Sequence, residues 1–168
     1  REGASPRRCR FGLATAADSI IFSAGCSELW APEIHWLSNR WYLYYTFNTN
    51  LNTGGIDRRG FVAESTGTSP YGPYVNRGVI FRDYWNIDGS VFAWSNQLYY
   101  TFSGEPVPGQ QKIFIAPMSN PYTLSGPPVL LSTPTESWET IGTPHVNEGP
   151  WGFQRNGRLF LVYSASGC

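Results

Sequence analysis

Three segments of the chain repeat one pattern of polar and apolar positions. Each opens with a carboxylate, runs through apolar residues, turns at an asparagine and returns through an aromatic-rich stretch; the segments are residues 33–47, 88–102 and 148–164. Asparagine tolerates positive φ, and a short polar turn between two apolar runs is the usual signal of a β-hairpin. The pattern therefore predicts three hairpins, which turn at Asn39, Asn96 and Asn156.

The spacing of these hairpins indicates a repeat architecture. The opening carboxylates Glu33, Asp88 and Glu148 lie 55 and 60 residues apart. Between the hairpins, residues 60–65 and 112–118 have the pattern of further strands, each followed by a turn marked by proline. Hairpin repeats of about this length are typical of β-propeller blades, and a β-sandwich containing three unrelated hairpins is the alternative.

We predict an all-β chain that contributes about three blades to a five-bladed β-propeller, the blade number being fixed only by the resemblance described below. The blades are expected to start near residues 30, 86 and 146, within one partial propeller domain over residues 1–168, and residues 104–111 are expected to form a loop. A closed propeller needs at least four blades, so we expect the chain to be part of a larger one.

Composition supports strands and excludes two classes of partner. Aromatic residues make up 16% of the 168 residues, charged residues only 14%, and there are 18 Gly and 13 Pro, which suits short strands joined by turns. The formal net charge is zero, so the basic excess typical of a nucleic-acid-binding protein is absent. No apolar run approaches the roughly 20 residues that span a bilayer, so no membrane partner is expected.

The cysteines and the ends of the sequence leave several possibilities open. Cys9 and Cys26 can pair, which leaves Cys168 either as a free thiol or with a partner beyond the chain. No cysteine or histidine spacing indicates zinc, and we predict no metal site. The sequence begins without a methionine or the apolar stretch of a signal peptide, as expected of a processed or partial chain.

The three opening carboxylates are the candidate chemistry. The innermost strand of each blade lines the propeller channel, so Glu33, Asp88 and Glu148 are expected to converge at one mouth. Glycoside hydrolysis needs a protonated carboxylic acid and an ionised carboxylate, and a third acidic group nearby raises the pKa of the acid by repulsion. Each carboxylate alone has a structural alternative, as a turn cap or an arginine partner, and spacing does not decide which group is acid or base.

Aromatic residues and histidines complete the candidate site. Trp30 and Trp85 are candidates for stacking on sugar rings, and His145 either lines the cleft or belongs to a loop. His35 is expected to be a structural strand residue. Three further tryptophans lie inside strand patterns and are expected in the core, namely Trp36, Trp41 and Trp94.

Several ordered motifs resemble glycoside hydrolase family 43. They are Trp30-Ala31-Pro32-Glu33-Ile34-His35 with the aromatic stretch 41–45, Ile87-Asp88-Gly89-Ser90-Val91-Phe92, Val146-Asn147-Glu148-Gly149-Pro150, residues 116–124, and Trp138-Glu139. The resemblance covers about residues 12–166. It implies a five-bladed propeller in which Glu148 is the general acid and Asp88 sets the pKa and orientation of that acid.

The resemblance also implies the reaction. Family members invert the anomeric centre and use a first-blade aspartate as general base. That blade start precedes this chain, and neither Asp18 nor Glu28 is assigned to the role. The expected activity is that of an α-L-arabinofuranosidase or arabinanase, which is favoured over that of a β-xylosidase. The expected substrate is plant cell-wall polysaccharide or its oligosaccharides, and no cofactor is expected. The enzyme is expected to be secreted, and this piece alone to be inactive without its base.

Two other functions remain as alternatives at this stage. One is a carbohydrate-binding propeller without catalysis, although such a protein would be expected to lose Asp88 and Glu148, which are both present. The other is an inactive truncated relic, whose unpaired blade edges would favour association with other copies.

Overall fold

The computed structural model of the protein describes residues 29–49 and 56–167. The three cysteines, Asp18 and Glu28 lie outside these ranges, so the expectations about them stay predictions. Within the ranges the regular structure is entirely β, and no helix is long and apolar enough to cross a membrane. The strands are β1 (Trp30–Leu37), β2 (Arg40–Asn48), β3 (Arg58–Ser65), β4 (Tyr74–Val79), β5 (Trp85–Trp94), β6 (Gln97–Glu105), β7 (Gln110–Asn120), β8 (Thr123–Leu124), β9 (Val129–Ser132), β10 (His145–Arg155) and β11 (Arg158–Ala165).

The three predicted hairpins are confirmed. β1 pairs antiparallel with β2, β5 with β6, and β10 with β11. The turns have positive φ at Asn39 (61°), Asn96 (64°) and Asn156 (51°), and a neighbouring Ser or Gly in each turn is also positive. Two adjacent positive φ values are the geometry of a type I′ turn, whose twist matches that of the strands it joins.

The strands form two sheets. The first is an up-and-down sheet in the order β1-β2-β3-β4, and the second has the order β11-β10-β7-β6-β5, with β8 and β9 also paired to β7. A short parallel contact, His145 with Gln110 and Val146 with Gln111, connects β10 to β7. The predicted loop over residues 104–111 was too long, because β6 continues to Glu105 and β7 begins at Gln110.

An aromatic core lies between the two sheets. Tyr44 and Val62 of the first sheet pack with Tyr100, Phe102 and other residues of the second, and these four side chains are at most 1% exposed. The rings of Tyr100 and Phe102 stack at a centroid distance of 5.4 Å. Aromatic rings pack well on a pleated surface, so alternating aromatic positions in β2 and β6 join the sheets through their faces.

The prediction that three strand tryptophans are core residues was wrong for Trp36. Its side chain is 45% exposed, and Trp41 and Trp94 are half-buried. All three lie next to a hairpin turn, where the strands leave the packed centre, and Trp36 belongs to the edge strand β1. The rings of Trp36 and Trp41 contact each other at 5.1 Å instead.

Tyr100 is packed so closely that two neighbouring positions have room only for glycine. A Cβ added at Gly60 would overlap the Tyr100 hydroxyl but stay 3.5 Å from the ring carbon Cζ. A Cβ added at Gly89 would overlap the hydroxyl and also lie 2.5 Å from Cζ and 2.6 Å from Cε2. Gly89 follows Asp88 directly, so this contact fixes the backbone beside that carboxylate.

We expect Gly60→Ala and Gly89→Ala each to lower the free energy of unfolding by about 1–3 kcal/mol, because each overpacks a rigid core. Tyr100→Phe removes the hydroxyl, so it should recover most of the loss at Gly60, where the hydroxyl is the one atom closer than 3.0 Å to the added Cβ. It should recover little at Gly89, where the ring itself is overlapped. Double-mutant cycles measured by denaturant unfolding test this difference.

Gly67→Ala is the control, because a Cβ there meets nothing within 4 Å. Equal recovery at both glycines would contradict the described packing of the Tyr100 ring.

Candidate active site

Each of the three opening carboxylates lies beside a β-bulge. The register shifts between Trp30 and Glu33 in β1, between Ile87 and Ser90 in β5, and between Glu148 and Trp151 in β10. A residue with positive φ lies at each shift: Ala31 (43°), Asp88 (54°) and Gly149 (59°). Bulges bend a strand and redirect its side chains, and a non-glycine residue with positive φ persists only where its surroundings hold it.

A hydrogen bond joins the second and third bulges. The backbone N–H of Gly149 donates to Oδ2 of Asp88 at 3.0 Å, across 61 positions of sequence. Glu148 precedes the donor directly, so the bond places the backbone of Glu148 next to the carboxylate of Asp88. The meeting of these two residues was predicted from their equivalent positions in the repeats.

The electrostatic environment of Asp88 favours its protonated form. Burial, with smaller contributions from the charges of Glu148 and Glu33, raises the pKa of the Asp88 carboxyl to about 6, against the lowering effect of the Gly149 N–H. The charges of Asp88 and Glu33 in turn add to burial in raising the pKa of Tyr100. All three predicted carboxylates therefore act on one region of the molecule.

Glu33 is held by a histidine. His35 Nε2 lies 2.9 Å from Glu33 Oε2, and the His35 ring packs edge-on against Tyr44 at 5.6 Å. The Glu33 side chain is 37% exposed. His35 is therefore a strand residue, as expected, and it also orients a carboxylate at the candidate site.

The remaining candidates are Trp30, Trp85 and His145. Trp30 is 40% exposed and has the guanidinium of Arg58 over its ring, with Cζ 3.4 Å from the centroid. A cation–π contact of this kind occupies one face of the indole. Trp85 is half-buried at the start of β5. His145 starts β10, where strand alternation places it on the face opposite to Glu148.

A further acidic residue was missed as a functional candidate. Glu139 is only 2% exposed, and its carboxylate accepts hydrogen bonds from the Asn147 side chain and the Tyr163 hydroxyl, each at 2.8 Å. It also accepts two backbone N–H groups, from Thr135 and Glu136. Its signal in the sequence was the family-like pair Trp138-Glu139, which did not indicate a buried network.

We expect Asp88→Asn to stabilise the protein at neutral pH and not in acid. A carboxyl with a raised pKa is unfavourable when ionised in the folded state, so its cost is fully present above about pH 6 and vanishes below the ordinary aspartate pKa of about 3.9. Asparagine removes the charge and keeps an oxygen for the Gly149 N–H. The melting temperature should rise by a few degrees at about pH 7.5 and remain nearly unchanged near pH 4.

The exposed Asp83→Asn is the control for losing one negative charge. An Asp88→Asn effect that is the same at both pH values would show that the ionised carboxylate carries no such cost.

Curated relatives are similar to this chain over most of its length. The chain is 38% identical to Alpha-L-arabinofuranosidase 43 of Humicola insolens, over 92% of this chain and 34% of that protein. It is 36% identical to the Extracellular exo-alpha-(1->5)-L-arabinofuranosidase of Streptomyces chartreusis, over 92% of this chain and 49% of that protein. The chain thus spans about a third to a half of the length of these relatives.

The chain is also similar to a solved structure. The crystal structure of an α-L-arabinofuranosidase from Lactobacillus brevis matches with a TM-score of 0.73 and 35% identity, covering 82% of this chain and 45% of that one. Structures of this kind are five-bladed β-propellers, and this chain covers part of that fold. The family profile described as Glycosyl hydrolases family 43 matches residues 13–168, and the chain therefore belongs to that family.

Proposed function

We propose that the protein containing this chain is an inverting glycoside hydrolase that acts on arabinose- or xylose-containing plant cell-wall polysaccharide. One observation carries the proposal: the hydrogen bond from Gly149 to Asp88 holds Glu148 beside a second carboxylate that is partly withdrawn from water. Two acidic groups with different environments are what acid–base cleavage of a glycosidic bond needs.

In the proposed mechanism Glu148 is the general acid. It gives its proton to the glycosidic oxygen as the bond from that oxygen to the anomeric carbon breaks. A water molecule forms the new bond to the anomeric carbon from the opposite face and loses its proton to a carboxylate base. We assign that base to the first blade, outside the described residues.

Asp88 is proposed to modulate the acid. Its Oδ2 accepts the N–H of the residue after Glu148, and the two carboxylates repel each other when both are ionised. Like-charge repulsion at close range keeps a proton on the pair at a pH where isolated carboxylates would have lost theirs. The positive φ of Asp88 supports this role, because strained backbone is concentrated at functional sites.

Four other residues are proposed to contact the substrate. Glu33, held by His35, supplies a hydrogen-bond acceptor for sugar hydroxyls. Trp30 offers the ring face that Arg58 does not cover, and Trp85 offers a second aromatic surface. His145, the first residue of β10, completes the set.

The substrate and location are proposed by similarity. Relatives named as arabinofuranosidases favour an α-L-arabinofuranosidase or arabinanase, and the Streptomyces chartreusis relative is named as extracellular. We propose that this protein is likewise exported, and that residues 1–168 form part of one catalytic propeller.

Reducing sugar released from arabinan and arabinoxylan by the full protein containing this chain is the test. Glu148→Gln should lower the rate by about 10²–10⁴-fold, because the leaving oxygen loses its proton donor. Glu136→Gln, which removes an exposed carboxylate from a neighbouring loop, should leave the rate unchanged.

Release that persists in Glu148→Gln would reject Glu148 as the acid. No release by the wild-type protein, together with retention on insoluble arabinan, would replace the proposal with a carbohydrate-binding propeller.

A further inference from the structure

Glu139 is a buried carboxylate that is surrounded by hydrogen-bond donors. Its Oε2 accepts the backbone N–H groups of Thr135 at 2.8 Å and Glu136 at 2.9 Å. Its Oε1 accepts Nδ2 of Asn147 and the hydroxyl of Tyr163, both at 2.8 Å. These donors come from one loop and from both strands of the β10/β11 hairpin, so the carboxylate connects all three.

The Glu139 carboxylate stays ionised at any pH well above 2. The N–H groups of Glu136 and Thr135, followed by the Tyr163 hydroxyl and Asn147 amide, hold the pKa of Glu139 at about 2 against the opposing effect of burial. An ionised carboxylate only accepts hydrogen bonds. It therefore requires the nitrogen end of the Asn147 amide to face it.

This orientation of the Asn147 amide has an unfavourable free energy of its own. Its Nδ2 donates both to Glu139 and to the hydroxyl of Ser132 at 2.8 Å, while its buried Oδ1 has no hydrogen-bond partner among the described residues. A buried polar atom without a partner costs about 1–3 kcal/mol. If the Asn147 amide were flipped, its Oδ1 would face the Ser132 hydroxyl, which can donate a hydrogen bond. The flip would also turn that oxygen toward the negative charge of Glu139, which prevents it.

The orientation of Asn147 matters because Glu148 is the next residue. The carbonyl oxygen of Asn147 accepts the Ser103 hydroxyl at 2.7 Å, and on the other side of Glu148 the Gly149 N–H donates to Asp88. The backbone of Glu148 is thus held on both sides. The Asn147 side chain is the part of this arrangement that depends on Glu139.

We propose that Glu139 is a positioning residue for Glu148, acting by holding the Asn147 side chain in one orientation and so fixing the strand from which Glu148 projects. The inference rests on the proposed function, in which Glu148 is the general acid. Glu139 itself does not contact the substrate in this role. Displacement of a general acid should harm only reactions that need the leaving group to be protonated.

Two substrates of the full protein separate this role from a structural one. An arabinan oligosaccharide has a sugar hydroxyl as leaving group and needs an acid, whereas 2,4-dinitrophenyl α-L-arabinofuranoside has a leaving group acidic enough to depart without one. We expect Glu139→Gln to lower kcat on the oligosaccharide about 10²-fold and on the aryl glycoside by no more than about threefold, with KM nearly unchanged. Asp83→Asn, which removes an exposed carboxylate outside this hydrogen-bond network, should change neither rate.

Tyr163→Phe protects the test against a variant that fails to fold. It removes one hydroxyl from Oε1 of Glu139 and leaves the other three donors, so it should produce a smaller loss with the same preference for the oligosaccharide. Equal losses on both substrates in the folded variants, or no loss on either, would overturn the role of Glu139. Wild-type protein that cleaves neither substrate would instead reject the proposed hydrolase function, which the aryl glycoside reports independently of the acid.

Discussion

The partial withdrawal of the Asp88 carboxylate from water is the constraint on which the site depends. A carboxylate is best solvated in water, so burial makes its charge costly, and two further carboxylates nearby increase that cost. The bulge in β5 and the packing of Gly89 against Tyr100 keep Asp88 in this place, and the hydrogen bond from the Gly149 N–H offsets part of the cost of its charge. The protein thus gives up some stability for a carboxyl that keeps its proton up to about pH 6.

Much of the fold was predictable because local signals agree with the tertiary structure. The asparagines at positions 39, 96 and 156 have the positive φ that their turns require. The aromatic stretches of β2 and β6 form buried strands between two sheets, as alternating aromatic patterns predict. Residues whose environment depends on the end of an edge strand were harder to place, and Trp36 was wrongly expected in the core for this reason.

The site was predictable in its carboxylates and not in its backbone. Equivalent positions in three repeats indicated that Glu33, Asp88 and Glu148 would meet, and their charges do act on one region. The positive φ of Ala31 and Asp88 carries no signal in a sequence, because neither residue type usually adopts it. The role of Glu139 depends on donors from 4 positions before it to 24 after it, which only the folded chain brings together.

The two sheets differ in how they are joined, and this has a consequence for cooperativity. In the described part of the chain β10 continues the backbone ladder of β7, whereas β1–β4 form a separate ladder. That ladder meets the second sheet through side-chain packing and through side-chain hydrogen bonds of Tyr44 and Asn86. Asp88 and Glu148 therefore belong to one continuous hydrogen-bonded unit, and Glu33 belongs to another. Local opening follows such units, so an opening of the first sheet would move Glu33 without breaking the backbone ladder that connects the strands of Asp88 and Glu148.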